Sequence, residues 1–245
     1  MSAASSGTGN TVVVRDTQCG YSEPVRVVAL ALAVGLIPLP AAAQEPPSLF
    51  AGGLFGVSTL SADGRSVTSG SDAALSLYDP DNGLALNAFA GIHVAQYFSI
   101  QANWIWNRND ITFVSSFSTP AGGGFYEQHR RSRQHAIVLD GLVYFRRRDS
   151  VIRPYLGTGL TLFHFSSDVV SSSPQGLAPP AGEISSTRVG LRSHVGIDVQ
   201  LSRHVSFRYS FSETISSNPI SPSLTPPGER ALMNFQNLFG LLMQF

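Results

Sequence analysis

Lysine is absent from this 245-residue chain, cysteine occurs once, and charged residues make up only 13% of it, about half the share of an ordinary soluble domain. Sixteen arginines offset sixteen aspartates and glutamates. No net field therefore draws the molecule to nucleic acid, and no nucleic-acid partner is expected. The single cysteine, Cys19, cannot form an intramolecular disulfide, so topology and packing must stabilise the fold. No uninterrupted apolar run reaches the roughly 18 residues of a membrane helix, and mean hydropathy is too low for a helical membrane bundle. Glycine-rich phosphate loops, CxxC pairs and HExxH motifs are also missing, so no catalytic set, cofactor or metal is expected. What is present is aromatic residues at 10%, with 23 Gly and 15 Pro, which is too apolar for a disordered chain.

Residues 1–43 read as a secretory signal peptide. Arg26 precedes the eleven apolar residues Val27 to Ile37, followed by Pro38-Leu39-Pro40 and Ala41-Ala42-Ala43 before Gln44, giving a positive flank, a short hydrophobic run and an A-x-A cleavage site. Pro38 and Pro40 would stop a helix, which argues against a membrane anchor. Met1 to Val25 is long for an n-region and carries Asp16 and Glu23, which points to a translation start further downstream. Cleavage after Ala43 leaves residues 44–245 as one domain.

From Leu49 onward, eight segments of about ten residues alternate apolar with polar or small residues at the two-residue period of a strand. They run Leu49–Leu60, Leu84–Val94, Phe98–Asn107, Gln134–Phe145, Ile152–Phe165, Arg188–Leu201, Val205–Ser212 and Met233–Phe245. In the sixth, Val189, Leu191, Val195, Ile197 and Val199 share one face, and Arg188, Gly190, Arg192, His194, Asp198 and Gln200 share the other. Gly52, Gly53 and Gly56 blur the two faces of the first.

Short turns at Ala95–Tyr97, Arg146–Val151 and Ser202–His204 alternate with long polar links at Ser61–Gly83, Arg108–Arg133, Ser166–Ser185 and Thr214–Arg230. Links of that length are uncommon in a compact soluble domain but usual on the external side of an outer-membrane barrel. The expected fold is therefore all-β: an eight-stranded antiparallel up-and-down transmembrane barrel. Ten strand steps, such as Phe235 to Phe245, span about 33 Å and rise ~25 Å at a tilt of about 40°, the height of the apolar band. Phe98, Trp104 and Trp106 would lie near its interfaces.

Alternation alone does not say which face meets lipid; a soluble lipocalin-like barrel would turn the apolar face inward but would need a charged exterior. Here the few charges are interspersed with glycine and serine, as befits an enclosed lumen. Centring the Ser202–His204 turn on Arg203 sets Asp198 opposite Arg208, a charge pair of the kind an enclosed interior requires. Asp140, Arg153, Arg188 and Arg192 extend this into a lumen charge network, unless a water-filled lumen solvates them singly.

The terminus Gly240-Leu241-Leu242-Met243-Gln244-Phe245 resembles the C-terminal insertion signal of outer-membrane barrels, carried by Gly240, Met243 and Phe245, with Leu238 standing where that pattern favours a polar residue. Arg153-Pro154-Tyr155-Leu156-Gly157-Thr158-Gly159 is similar to the strand opening the second half of small barrels of the OmpA-like, porin-related outer-membrane family. The resemblance implies an integral protein of the outer membrane of a Gram-negative-type bacterium. Its implied partners are outer-membrane lipids and lipopolysaccharide, and, during biogenesis, the barrel-insertion machinery and periplasmic chaperones; a monomer is expected. Because the chain stops at the last strand, no peptidoglycan-binding domain of the full-length OmpA type is expected to follow.

Arg130, Arg131 and Arg133, with His129, are candidates for lipopolysaccharide phosphates, since arginine forks suit them; a solvated loop is the plainer reading. Arg146-Arg147-Arg148 could touch inner-leaflet phosphates or peptidoglycan, or be merely solvated. His164 and Ser166 share a strand face near Asp168 and are similar to the pair used by barrel lipid A deacylases, but the asparagine that follows the serine there is absent. The expected role is a non-enzymatic scaffold for four external loops; the alternative is a narrow OmpW-like conduit for small or apolar solutes, and behind it a lipid A-modifying enzyme. N-terminal sequencing of the exported protein is expected to begin at Gln44.

Overall fold

The computed structural model describes residues 47–61, 66–68, 73–176, 179, 182–220 and 231–245. The segment 1–43 expected to be a signal peptide, Cys19 within it, and parts of three of the long links lie outside these residues. All regular elements described are strands: β1 (Ser48–Ser61), β2 (Ser66–Thr68), β3 (Ala73–Pro80), β4 (Gly83–His93), β5 (Phe98–Thr119), β6 (Gly122–Tyr144), β7 (Ile152–Gln175), β8 (Ile184–Gln200), β9 (Val205–Ser217) and β10 (Ala231–Gln244). Each of the eight predicted segments lies within or nearly matches one of them.

Antiparallel pairing runs β4-β1-β10-β9-β8-β7-β6 and closes through β5 on both β6 and β4, giving a ring of eight strands. A closed ring leaves no edge, the condition for crossing hydrocarbon with strands. Short turns join β4 to β5, β6 to β7 and β8 to β9 at one end, near Ser48 and Phe245. This is the periplasmic end by the usual asymmetry of outer-membrane barrels. β3 continues the row of β4 upward along β5, with the hairpin partner β2 beside it.

Side-chain direction follows strand parity throughout the ring. Leu160 is 67% exposed and Leu139 61%, whereas Arg192 is 1% and Asp198 3% exposed. Phe211 and Leu241 also face outward. The apolar stripe is turned to lipid and the polar stripe is enclosed. The first strand obeys the same rule despite its glycines, with Phe50, Leu54 and Ser58 inside and Phe55 and Val57 outside.

The upper barrel departs from expectation. The link predicted for Arg108–Arg133 is a tall hairpin: β5 and β6 stay paired from Arg108↔Arg133 to Thr119↔Gly122, turning at Gly122 with a φ of 141°, a conformation suited to glycine. β7 likewise runs on to Gln175. These segments escape a search for outward apolar residues because their pattern changes phase. On β5 the outward series Ile100, Trp104, Trp106 gives way to inward Ile111 and Phe113, while Arg108 and Asp110 face out. Above the bilayer the exterior is water, so the apolar residues move inside. They meet Tyr78, Tyr126, Phe163, Phe165, Ile184, Ile220 and Leu232 in an upper core. Burial pushes the Tyr78 phenol well above its ordinary pKa, so it stays neutral there. A second cluster, including Phe50, Phe89, Tyr144, Tyr155 and Leu242, fills the periplasmic end. The lumen is thus a polar layer between two apolar ones, not polar throughout.

Leu160→Arg on the lipid face is expected to cost about 2–4 kcal/mol of folding free energy, measured by urea unfolding in lipid vesicles.

Candidate functional site

The middle of the lumen is built from inward residues two apart on each strand. Asp198 and Arg208 are direct cross-strand partners on β8 and β9. Arg208 Nε donates to Asp198 Oδ1 at 2.6 Å and Nη2 to Oδ2 at 2.7 Å, a bidentate fork. Nη1 donates across the bore to Gln101 Oε1 at 2.6 Å, and Nη2 to the Tyr144 hydroxyl at 2.9 Å. The guanidinium lies 4.9 Å from the ring centre of Phe89 and 4.8 Å from that of Tyr155. One side chain therefore reaches residues of β4, β5, β6, β7 and β8.

One layer higher, Arg192 Nη1 donates to Asp140 Oδ2 at 2.7 Å. Asn103 Nδ2 donates to the same oxygen at 2.9 Å, and His194 Nε2 stands 3.3 Å from it. Gln101 Nε2 donates to Asn103 Oδ1 at 2.7 Å, joining the two acid–arginine pairs into one continuous chain. Above them, Gln236 donates to Asn107 at 3.0 Å and Asn234 to Gln134 at 2.8 Å, around a cavity of about 20 Å³. Such a space holds a water molecule but no solute.

Close packing on this scale needs missing side chains. A Cβ at Gly157 would lie 2.0 Å from His194 Nε2, and one at Gly159 would lie 2.3 Å from Asp140 Oδ1. The segment Arg153–Gly159 is therefore a lumen-facing series in which Arg153 and Tyr155 fill the bore while Gly157 and Gly159 make room for residues from facing strands.

Two expected site residues are placed elsewhere. Arg188 has lumen-side parity, yet it is exposed: β8 pairs with β9 only from Gly190 downward, opposite Ser216, and Arg188 stands above that limit. Arg130 points inward, not to the cell surface. Its Nε donates to Ser167 Oγ at 3.0 Å, Nη1 to Gln128 Oε1 at 2.7 Å and Nη2 to the Ser167 carbonyl at 2.7 Å. Parity on β6 assigns Arg130 to the interior and Arg131 and Arg133 to the outside. Arg131 Nε lies 3.6 Å from Asp110 Oδ1, and Asp168 is its cross-strand neighbour. Arg133 instead faces Arg108 across the strand pair, and the parity of Arg108 with Trp104 and Trp106 marks it as outward. Ten strand steps from Phe98 put Arg108 about 25 Å up the barrel at a tilt of about 40°, at the outer edge of the apolar band.

His164 and Ser166 face outward on β7, where His164 Nδ1 lies 3.0 Å from Thr187 Oγ1. Gly240 and Met243 lie on β10, with Phe245 just beyond it. Gly240 packs closely on the β1 backbone, while Met243 and Phe245 face out.

The model of the outer membrane protein beta-barrel domain matches residues 29–236. The chain belongs to this family of outer-membrane β-barrels. Among solved structures it is similar to Neisserial surface protein A (TM-score 0.47, 14% identity, covering 82% of this chain and 100% of that one). It is also similar to OprG from Pseudomonas aeruginosa (TM-score 0.48, 13% identity, 82% and 97% covered) and to Ail of Yersinia pestis (TM-score 0.43, 10% identity, 81% and 97% covered). No curated protein matches the chain.

For this family member, Asp198→Asn leaves Arg208 as a buried cation with a weakened partner, an expected loss approaching the about 3–5 kcal/mol of a broken buried pair. The double variant Asp198→Leu/Arg208→Met is expected to recover most of it. Equilibrium unfolding of the refolded barrel measures both.

Proposed function

We propose that this outer-membrane barrel is a non-enzymatic scaffold which holds external hairpins above the cell surface, and that its lumen is a plug and not a conduit. The observation that carries this reading is the Arg208 side chain, which binds residues from facing walls within a bore already filled by apolar clusters above and below. The tall β5–β6 hairpin supports the display role: from Arg108 to Thr119 it adds roughly 36 Å of strand beyond the apolar band. An aqueous pore would need the polar network to come apart, and an apolar conduit would need the upper core to empty.

The outward Arg108–Arg133 pair supports contact with lipopolysaccharide. Like charges directly opposed across a strand pair repel. At the level of the outer headgroups a lipid phosphate between them would reverse that effect, and arginine forks suit phosphate oxygens. Arg131, flanked by Asp110 and Asp168, is the weaker contributor. Export by the 1–43 signal, insertion guided by Gly240, Met243 and Phe245 with the barrel-insertion machinery and periplasmic chaperones, and a monomeric state complete the reading.

Purified protein in planar bilayers is expected to show no discrete conductance steps; steady stepwise current would sink the plug. The double variant Arg108→Ala/Arg133→Ala is expected to co-purify with less lipopolysaccharide than wild type while folding equally well, read as bound lipid A phosphate by mass spectrometry.

A further inference from the structure

Arg153 stands apart from the other arginines of the lower lumen, since Arg192 and Arg208 each hold a carboxylate. It is 4% exposed on β7, in the same cross-strand row as Asp198 and Arg208. Asp198 is already occupied: Arg208 takes both carboxylate oxygens, and the Tyr144 hydroxyl donates to Oδ2 at 3.2 Å. None of the three guanidinium nitrogens of Arg153 has a hydrogen-bond partner among the described residues. Its carbon lies 3.9 Å from the centre of the Tyr144 ring. That stacking covers one face of the cation but leaves the N–H donors around its edge unanswered.

Charge arithmetic points the same way. Among the described residues, the two lower layers of the lumen bury the guanidinium groups of Arg153, Arg192 and Arg208 against the carboxylates of Asp140 and Asp198. One positive charge is left over, and it is at Arg153. A buried charge without a counter-charge is unfavourable.

Beside Arg153 is a second cavity, at the periplasmic mouth, lined also by Arg148, Ser150, Gln200, Ser206 and Gln244. Every one of these offers a donor and none is acidic; Asp198, which also lines it, has its oxygens turned to Arg208 and Tyr144. Arg148 itself reaches the Ser48 hydroxyl, so it contributes mainly its charge. The cavity measures about 10 Å³, close to what one water-sized particle needs. A monatomic anion such as chloride needs less room there than phosphate, sulfate or a carboxylate. The mouth is formed by the turn between β6 and β7, where Val151 is exposed, so entry is from the periplasm.

We infer that Arg153 and the donors around it form a binding site for a monatomic anion of the chloride class, which neutralises the surplus charge at the base of the plug. A ligand that binds only the folded barrel stabilises it by mass action. At about twice its dissociation constant, the anion raises the folded-to-unfolded ratio about threefold, and at ten times about elevenfold.

The test uses the full barrel refolded in detergent micelles and unfolded in urea at constant ionic strength, with sodium chloride replaced stepwise by sodium gluconate. Chloride is expected to raise the folded fraction saturably, with bromide following it and acetate without effect. Arg153→Met, which keeps the packing on Tyr144 but removes the charge, is expected to fold with no chloride dependence. Equal stability in chloride and gluconate would overturn the site, as would an undiminished chloride response in Arg153→Met or a response to acetate alone. Should that variant fail to fold, a crystal of the wild-type barrel soaked in bromide decides: an anomalous peak beside the Arg153 guanidinium supports the site, and bromide bound only elsewhere refutes it.

Discussion

Hydrocarbon offers a backbone no hydrogen-bond partner, and every other feature of this barrel answers to that. Strands that cross the bilayer must close on one another, which fixes the eight-membered ring and makes each residue either lipid-facing or lumen-facing. Once closed, eight strands leave a bore too narrow for bulk water. Polar residues inside must find partners in one another, and many do so through a few long side chains that cross the bore. Arg208 is the centre of that arrangement because a guanidinium can donate along several directions at once while its faces pack on aromatic rings. The same narrowness explains the glycines of β7, whose missing side chains are the space that His194 and Asp140 occupy.

Order along the barrel axis follows from what surrounds it. Within the bilayer the apolar residues face out, and the lumen carries the polar network. Above the bilayer water replaces lipid, the pattern inverts, and the hairpin of β5 and β6 acquires an interior of Ile111, Phe113 and Tyr126. The sheet is continuous through this inversion, so the external structure is rigidly coupled to the membrane-embedded part. The closed lumen and the tall external strands are thus parts of one continuous sheet.

Charge placement divides by parity in the same way. Arg130 and Arg133 are three residues apart, yet one ties β6 to Ser167 inside while the other stands opposite Arg108 outside. Arg192 has Asp140, Arg208 has Asp198, and Arg153 has only an aromatic face. In the lower lumen acids and arginines are thus paired except at the periplasmic mouth, where Arg153 faces donors that suit a small anion.

Period-two alternation was enough to mark out all eight ring strands, the apolar stripe, and the pairing of Asp198 with Arg208, because a three-residue turn fixes the register of the strands it joins. Family membership was likewise legible in the C-terminal strand and the segment opening at Arg153. Alternation could not show where each strand ends, since the apolar phase reverses at Arg108 and a single-phase search stops there. Nor could it tell which inward charges meet across the bore: Gln101 reaching Arg208, Asn103 reaching Asp140, and Arg188 left above the end of β9 depend on strands far apart in sequence. Sequence periodicity determines the face on which a side chain lies, but only closure of the ring determines what stands opposite it.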